Sequence, residues 1–217
     1  MPRVEFQYTL LSDGSKDRVL IPILTWLLHQ HLPNDCAVQA NWADLRRLPR
    51  PPKTLHERIR VTAELYPCDV LFIHRDAECL SWTDRKAEID RAVVDACGTA
   101  AIPPAIAVVP VRMTESWLLF NVTAIRTAAC NPHGSVGLVL PRLADLESIP
   151  DPKNVLGGLI LEATELGTHR RGRFNVSNAV GRIPQFIDDF SPLRELTAFS
   201  NLEEELTRTI TSQCWGD

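Results

Sequence analysis

The run Asp69-Val70-Leu71-Phe72-Ile73-His74 decides the fold of this 217-residue chain. Four consecutive apolar residues at its centre, three of them β-branched or aromatic, predict a central strand that is buried on both faces. A strand of this kind belongs to a parallel sheet that is covered by helices on both sides. The segments on either side of this run should therefore alternate between helices and strands.

The first 130 residues do show this alternation. Further strands are predicted over 4–11, 36–41 and 105–111, and helices from Asp17 onward and over 54–66, 84–97 and 115–129. Thr83 and Thr114 are the predicted N-caps of the last two helices. The β-α-β-α-β-α-β-α order predicts an α/β fold, a mostly parallel sheet flanked by helices.

After a turn at residues 131–134, Asn-Pro-His-Gly, the patterns become mostly helical, over 154–167, 176–187 and 191–211. We therefore expect an α/β domain over residues 1–130 and a C-terminal helical extension over 131–217 that packs on it. The last helix carries an apolar stripe that would pack either on the sheet or on a second subunit, which leaves homo-oligomerisation open. The stripe consists of Leu193, Leu196, Leu202, Leu206 and Ile210.

The composition is that of an ordinary globular protein, with 45% hydrophobic and 23% charged residues and a formal net charge of −4. This charge disfavours a protein that coats nucleic acid by itself, because such binding depends on clustered Lys and Arg. Two features predict a chain without membrane attachment. The most apolar run, 102–111, has about half of the ~20 residues that a membrane-spanning helix requires, and the N-terminus lacks a signal-peptide pattern.

The cysteines are scattered, without the close pairs typical of zinc sites or the short chains typical of disulfide scaffolds. They are predicted to be reduced thiols, mostly buried as small hydrophobic residues, which indicates a cytoplasmic protein. The six are Cys36, Cys68, Cys79, Cys97, Cys130 and Cys214.

Acidic residues follow three of the predicted strands. Asp13 and Asp17 follow the first strand, Asp76 and Glu78 the third, and Glu115 the fourth. In an open parallel sheet, ligands bind outside the carboxyl ends of the strands. Carboxylates gathered there repel one another unless a cation or a proton neutralises them. Oxygen ligands at a site that also holds phosphate favour Mg²⁺ or Mn²⁺.

The Asp-x-Glu spacing strengthens this interpretation. If the chain stays extended beyond His74, Asp76 and Glu78 point to the same side and can share one cation. Three of the five acids also have a purely local alternative. Asp13 before a glycine is a common turn residue, Asp17 can start a helix, and an acid at position 115 suits the positive end of a helix.

Three segments resemble known motifs. Ser12-Asp13-Gly14-Ser15-Lys16-Asp17-Arg18-Val19-Leu20-Ile21-Pro22 resembles the first motif of Toprim domains in the overcoming-lysogenization-defect (OLD) nuclease branch. Phe72-Ile73-His74-Arg75-Asp76-Ala77-Glu78 resembles their later Asp-x-Asp motif. Residues 109–119, Val-Pro-Val-Arg-Met-Thr-Glu-Ser-Trp-Leu-Leu, resemble a bacterial Toprim-like family often encoded beside ATPases. The resemblance covers about residues 1–130, and the helical extension matches only in pattern.

The resemblance implies Mg²⁺-dependent (or Mn²⁺-dependent) cleavage of phosphodiester bonds, in bacterial defence or DNA repair. Asp76 and Glu78 would hold the metal, Asp13 would be a further ligand or the general acid/base, and these three would be the catalytic residues. Asp17 and Glu115 would complete a second metal position. The first-motif acid is Asp13 where a Glu is usual, and Glu78 stands where the second Asp is usual. Two alternatives therefore stay open, a Toprim-derived adaptor without catalysis and a small-molecule phosphoesterase.

Basic residues beside the acids would neutralise phosphate charge, or would be ordinary solvated surface charges. These residues are Lys16, Arg75 and Arg112. The densest basic cluster, 169–173, would contact a nucleic-acid backbone or an acidic partner, or would be a solvated loop. The expected partners are nucleic acid, with DNA held weakly by this chain alone, and an ATPase.

Overall fold

A computed structural model describes residues 5–98 and 100–216 of the chain. Its four strands form a single parallel sheet in the order β2-β1-β3-β4. The strands are β1 (Glu5–Leu11), β2 (Ala37–Trp42), β3 (Val70–His74) and β4 (Ala105–Val108). The predicted α/β fold is confirmed. The predicted first residue of the first strand, Val4, lies outside the described residues.

Helices cover the sheet and form the C-terminal part of the described chain. They are α1 (Leu20–His31), α2 (Leu55–Leu65), α3 (Trp82–Cys97), α4 (Val122–Ala128), α5 (Pro152–Ala163), α6 (Thr168–Arg171), α7 (Val176–Arg182) and α8 (Thr197–Ser212). Short 3-10 helices occupy Ser15–Val19, Leu45–Arg47, Thr114–Leu118, Leu143–Ser148, Ile183–Phe186 and Ser191–Glu195. Within residues 5–98 and 100–216, no helix has the length and apolar composition needed to cross a bilayer.

Strand β3 lies in the sheet interior, and all five of its residues are buried. Alternate residues of β3 face two separate cores, as a period of two requires. Val70 and Phe72 contribute to the core that contains α1 and the C-terminal helices. Leu71 and Ile73 contribute to the core that contains α2 and α3. The apolar run therefore needs no polar positions, because neither face of β3 meets water.

The chain reverses its direction of travel across the sheet between β1 and β3. It passes from β1 to the edge strand β2 and then returns to the other side of β1, where Leu11 pairs with Ile73. This reversal is a topological switch point, where the loops after two neighbouring strands leave in opposite directions and open a crevice. The loops that follow Leu11 and His74 both begin at this crevice.

The C-terminal helices share one core with the sheet. That core combines β1 side chains such as Phe6 and Tyr8 with α5 and α8 side chains such as Leu156 and Leu206. The apolar stripe predicted for the last helix was expected to pack either on the sheet or on a second subunit. It is buried in the core that the helix shares with the sheet of the same chain. Its residues Leu193, Leu196, Leu202, Leu206 and Ile210 are all buried.

Three predicted helix boundaries are wrong, two of them because a different polar side chain caps the helix. Helix α3 begins at Trp82, and Ser81 rather than Thr83 accepts the hydrogen bond from the Asp84 amide. The helix predicted from Thr114 is two elements, of which α4 is capped by Asn121. The helix predicted over 191–211 is likewise a 3-10 turn followed by α8.

The structure describes all six cysteines, and no disulfide bond joins any two of them. The expectation that most are buried is wrong, because only Cys36 is buried and Cys68 is half-buried. The other four are exposed, at Cys79, Cys97, Cys130 and Cys214.

Candidate functional site

A groove with two lobes lies at the switch point. The acid lobe, about 510 Å³, contains Asp17, Asp76 and Glu115, and α5 and α7 contribute its outer wall through residues such as Lys153 and Val176. The arginine lobe, about 430 Å³, contains Asp13, Arg46, Arg75 and Arg85. Four residues line both lobes: Lys16, Asp17, Asp76 and Glu78. The C-terminal helices thus form part of the candidate site.

Asp76 is held by a short network behind the acid lobe. The Thr114 hydroxyl donates to Asp76 Oδ1 at 3.0 Å, and His74 Nε2 lies 3.2 Å from the Thr114 hydroxyl and 3.6 Å from Asp76 Oδ1. The other ring nitrogen, Nδ1, lies 3.1 Å from the Val108 carbonyl oxygen. Because a carbonyl oxygen only accepts, Nδ1 carries a hydrogen and Nε2 faces the carboxylate. The network fixes the position of Asp76 from two sides.

Asp17 makes a local contact at the start of the helical segment, where Gly14 rather than Asp17 is the N-cap residue. Its Oδ2 accepts a hydrogen bond of 2.9 Å from the Gly14 amide, which closes the turn that starts the helical segment. Its Oδ1 lies 3.9 Å from His74 Nε2 and therefore faces the same imidazole as Asp76. The local interaction orients Asp17 toward the acid lobe.

The carboxylates of the acid lobe disfavour one another's ionisation. Burial raises the pKa of Asp76, and the negative charge of Asp17 raises it further, against the opposing effects of His74 and Thr114. Burial also raises the pKa of Glu115, and the charges of Asp76 and Asp17 add to that increase. Lys153 opposes the shift in Glu115. Three acids in one partly buried lobe favour the uptake of a proton or a cation.

This donor set suits a hard divalent cation in its chemistry. Carboxylate oxygens are the ligands that Mg²⁺ and Mn²⁺ prefer. Across residues 5–98 and 100–216, no three His, Cys, Asp or Glu side chains form a ready-made metal-ligand group. Mg²⁺ commonly binds through one or two carboxylates and keeps several waters, so a ready group of three is not required. One or two of the carboxylates Asp17, Asp76 and Glu115 could hold such an ion.

Asp13 is engaged elsewhere. Its Oδ1 lies 2.5 Å from Arg58 Nη1, and its Oδ2 lies 3.1 Å from Arg75 Nε. Its side chain is half exposed and lines the arginine lobe. Asp13 is not one of the described residues that line the acid lobe. Two arginines thus neutralise the acid that the sequence placed among the metal ligands.

Glu78 was predicted to share a cation with Asp76 only if the chain stays extended beyond His74, and this condition is not met. Strand β3 ends at His74, and Glu78 has φ 53, a left-handed conformation that breaks the extended run. The Glu78 side chain is 67% exposed, and its Oε2 lies 3.9 Å from Arg85 Nη2. The alternation argument therefore fails at this position, although Glu78 still lines both lobes.

The three predicted phosphate-binding residues have different surroundings. Lys16 is exposed and lines both lobes. Arg75 lines the arginine lobe and is braced by Asp13 and by Glu88, whose Oε1 lies 2.9 Å from Arg75 Nη1. Arg112 Nη1 donates to the Glu78 carbonyl oxygen at 3.3 Å. Arg112 is not one of the described residues that line the two lobes.

Three residues of the site were not predicted for the roles they have. Thr114 was expected to cap a helix, but its hydroxyl binds Asp76. Arg85 lies in the second turn of α3, and its spacing from Glu88 is the one sequence feature that could have indicated an ion pair across a helix face. Lys153 comes from α5, and nothing local in the sequence links it to the strand ends.

Comparisons with protein-family models, with curated proteins and with solved structures give no match.

Proposed function

We propose that this protein is a Mg²⁺- or Mn²⁺-dependent phosphodiesterase, a nuclease or nuclease-like subunit that acts on nucleic acid. The observation that carries the proposal is the convergence of Asp17, Asp76 and Glu115 on one lobe at the switch point, where burial and mutual repulsion raise the pKa values of Asp76 and Glu115. The resemblance of segments 12–22 and 72–78 to Toprim motifs supports the same chemistry.

In the proposed site, Asp76 is the principal metal ligand, with Asp17 and Glu115 beside it. A bound divalent ion would supply charge neutralisation for the phosphate and a polarised water as nucleophile. Thr114 positions the Asp76 carboxylate through its hydrogen bond, and His74, which contacts Thr114, lies 3.6 Å from the same carboxylate oxygen. Lys16 and Lys153 are exposed cations on the rim of the acid lobe, placed to offset phosphate charge.

Glu78 and Asp13 have secondary parts in this scheme. Glu78, mostly exposed at the junction of the lobes, would approach the ion only after its loop moves. Asp13 braces Arg75 and would not ligate the metal directly. This proposal keeps the predicted site at the strand ends, but its main metal ligands beside Asp76 are Asp17 and Glu115 rather than Asp13 and Glu78.

The expected substrate is DNA, held with help from a partner. The net charge of −4 predicts weak binding by the chain alone. The exposed basic residues of segment 169–173 lie in α6 and in the turn that follows it, just before α7, which lines the acid lobe. An ATPase partner and a cytoplasmic role in defence or repair are part of the proposal and rest on the resemblance and the composition.

A nicking assay tests the proposal. Supercoiled plasmid is incubated with purified protein and Mg²⁺ or Mn²⁺, with and without an ATPase encoded beside it, and relaxed and linear products are quantified. We expect the wild type to nick DNA and Asp76→Ala to lose about 100-fold or more of the rate, since a metal site contributes several kcal/mol to the transition state. Asp188→Asn, an exposed acid outside the groove, is the matched control.

Absence of metal-dependent cleavage of DNA or RNA in every combination contradicts the nuclease proposal. If Mn²⁺ still binds in that case, the remaining function is that of a metal-binding adaptor without catalysis.

One observation favours a small-molecule phosphoesterase as the second candidate. The acid lobe has a volume of about 510 Å³ and an apolar wall that includes Met113, Val176 and Val180. That volume is in the range of small-ligand pockets, about 300–1,000 Å³. Turnover of bis(p-nitrophenyl) phosphate with no plasmid cleavage would favour this candidate over the nuclease.

A further inference from the structure

The arginine lobe contains a buried arginine whose hydrogen-bonding capacity is not filled. Arg85 is 6% exposed, and its Nη1 donates to Glu88 Oε2. Its Nη2 lies 3.9 Å from Glu78 Oε2, beyond hydrogen-bond distance. Its Nε is buried and has no hydrogen-bond partner among the residues that the structure describes. A guanidinium has five N–H donors, and leaving them unpaired in a buried place is costly.

Arg75, the neighbouring cation in this lobe, is held in a fixed position. Arg75 is braced on one side by Asp13 at 3.1 Å and on the other by Glu88 at 2.9 Å. Glu88 binds Arg75 and Arg85 with its two oxygens, so it sets the spacing between the two guanidinium groups. Guanidinium groups positioned in this way can bind a phosphoryl group through several charge-assisted hydrogen bonds at once.

The outer rim of the lobe supplies a third arginine. Arg46 lies over the ring of Trp42, with 5.3 Å between its guanidinium carbon and the ring centroid, and its Nε lies 3.2 Å from Asp44 Oδ1. Lys16 lines the lobe from the opposite loop. The four cations of the lobe therefore come from three separate parts of the chain.

We propose that the arginine lobe is a phosphoryl-binding subsite, in which Arg85 and Arg75 are the central donors and Arg46 and Lys16 are the outer ones. This inference takes its substrate from the proposed function: the group bound here is a phosphate of the nucleic-acid chain next to the one at the acid lobe. The Nη2 group of Arg85, which lies 3.9 Å from Glu78 Oε2, would then donate to the phosphate.

Metal and phosphate binding should be linked. Asp17 and Asp76 line both lobes, so without a metal their negative charge opposes an anion in the arginine lobe. A divalent cation on those carboxylates removes that opposition. By thermodynamic reciprocity, phosphate must then strengthen metal binding by the same factor.

The test measures binding, with inorganic phosphate as the probe. Mn²⁺ affinity is measured by electron paramagnetic resonance of the free ion, and phosphate affinity by calorimetry with and without Mn²⁺. We expect wild-type protein to bind phosphate more tightly with Mn²⁺, and Arg85→Gln to weaken phosphate binding by about tenfold or more, since a hydrogen bond to a charged group contributes about 1.5–3 kcal/mol. Arg91→Gln, an exposed arginine on the same helix, should match the wild type.

The outcomes separate this inference from the proposed function. If Mn²⁺ binds but phosphate does not, or if folded Arg85→Gln binds phosphate like the wild type, the subsite is wrong and the metal site stands. If Mn²⁺ does not bind but phosphate binds in an Arg85-dependent way, the subsite stands and the proposed function fails. Should Arg85→Gln not fold, Arg46→Gln replaces it, because Arg46 is exposed. A phosphate affinity lowered at least about twofold supports the subsite, and an unchanged one overturns it.

Discussion

The two lobes of the groove contain aspartates that look equivalent in the sequence and differ in their surroundings. Asp13 and Asp76 each follow a strand of the sheet within two residues. Asp13 is half exposed and contacts two arginines. Asp76 is mostly buried, shares its lobe with Asp17 and Glu115, and has a raised pKa. The difference shows that proximity to a strand end does not set the electrostatics of a carboxylate; the surrounding charges decide whether it is already neutralised.

The largest expected difference between the lobes is in metal affinity. We expect Asp76→Asn to weaken Mn²⁺ binding about 100-fold, because it removes a charged ligand from a partly buried site. Asp13→Asn should change it by no more than about threefold, because two arginines already neutralise Asp13. Titration of free Mn²⁺ by electron paramagnetic resonance measures both values. Equal losses in the two variants would mean that Asp13 leaves its arginines to bind the ion, and the contrast between the lobes would disappear.

The second difference concerns stability and pH in the absence of metal. The folded-state pKa of Asp76 lies above its ordinary value, so its contribution to stability is complete below the ordinary pKa and is lost as the pH rises through the folded-state pKa. Asp76→Asn removes this loss while keeping the acceptor for Thr114. The variant should therefore become more stable than the wild type as the pH rises, by about 1 kcal/mol.

Urea unfolding in EDTA between about pH 4 and pH 8 measures this difference. Asp188→Asn should show no such trend, since Asp188 is exposed. Addition of Mn²⁺ should reverse the order of stability, because only the wild type binds the ion tightly. If the wild type instead stays as stable as Asp76→Asn, or becomes more stable than it, as the pH rises, the carboxylates of the acid lobe are not in conflict.

A smaller effect on stability is expected from removing the ion pair between Arg58 and Asp13. Arg58→Gln removes one of the two arginines on Asp13 and should lower the free energy of unfolding by less than about 1 kcal/mol, as for other partly exposed ion pairs. Mn²⁺ affinity should stay the same, because Arg75 still holds Asp13. A clear rise in Mn²⁺ affinity would identify Asp13 as a ligand that Arg58 keeps away from the metal.

The smallest effect should come from the rim of the acid lobe. Lys153→Gln removes a positive charge that lowers the pKa of Glu115. Mn²⁺ should then bind about twofold more tightly at low ionic strength, because an exposed like charge no longer repels it. The gain should vanish at high salt, and Lys53→Gln, an exposed lysine in the connector before α2, should show no gain at all. Weaker Mn²⁺ binding in Lys153→Gln would contradict this account.

The helix boundaries illustrate what a local pattern can and cannot predict. The central strand was predictable because its apolar run is decided by residues that are adjacent in sequence. The role of Thr114 was not predictable from local sequence. Its hydroxyl contacts His74 and donates a hydrogen bond to Asp76, and Asp76 lies 38 positions away in the chain. In the same way, the Asp-x-Glu spacing places the Asp76 and Glu78 side chains on one side only if the backbone is extended, and the backbone of Glu78 has a left-handed conformation.

The order of strands and helices and the position of acids after three strands could be predicted from local patterns, because hydrophobic periodicity and turn residues act over short stretches of chain. Which acids share a cavity depends on the folded arrangement of distant segments. Asp13 is neutralised by Arg58, 45 positions away, and Glu115 and Asp76 are partly buried by helices from the far end of the chain. Burial and long-range ion pairs set the electrostatics of a carboxylate, and both depend on contacts that exist only after folding.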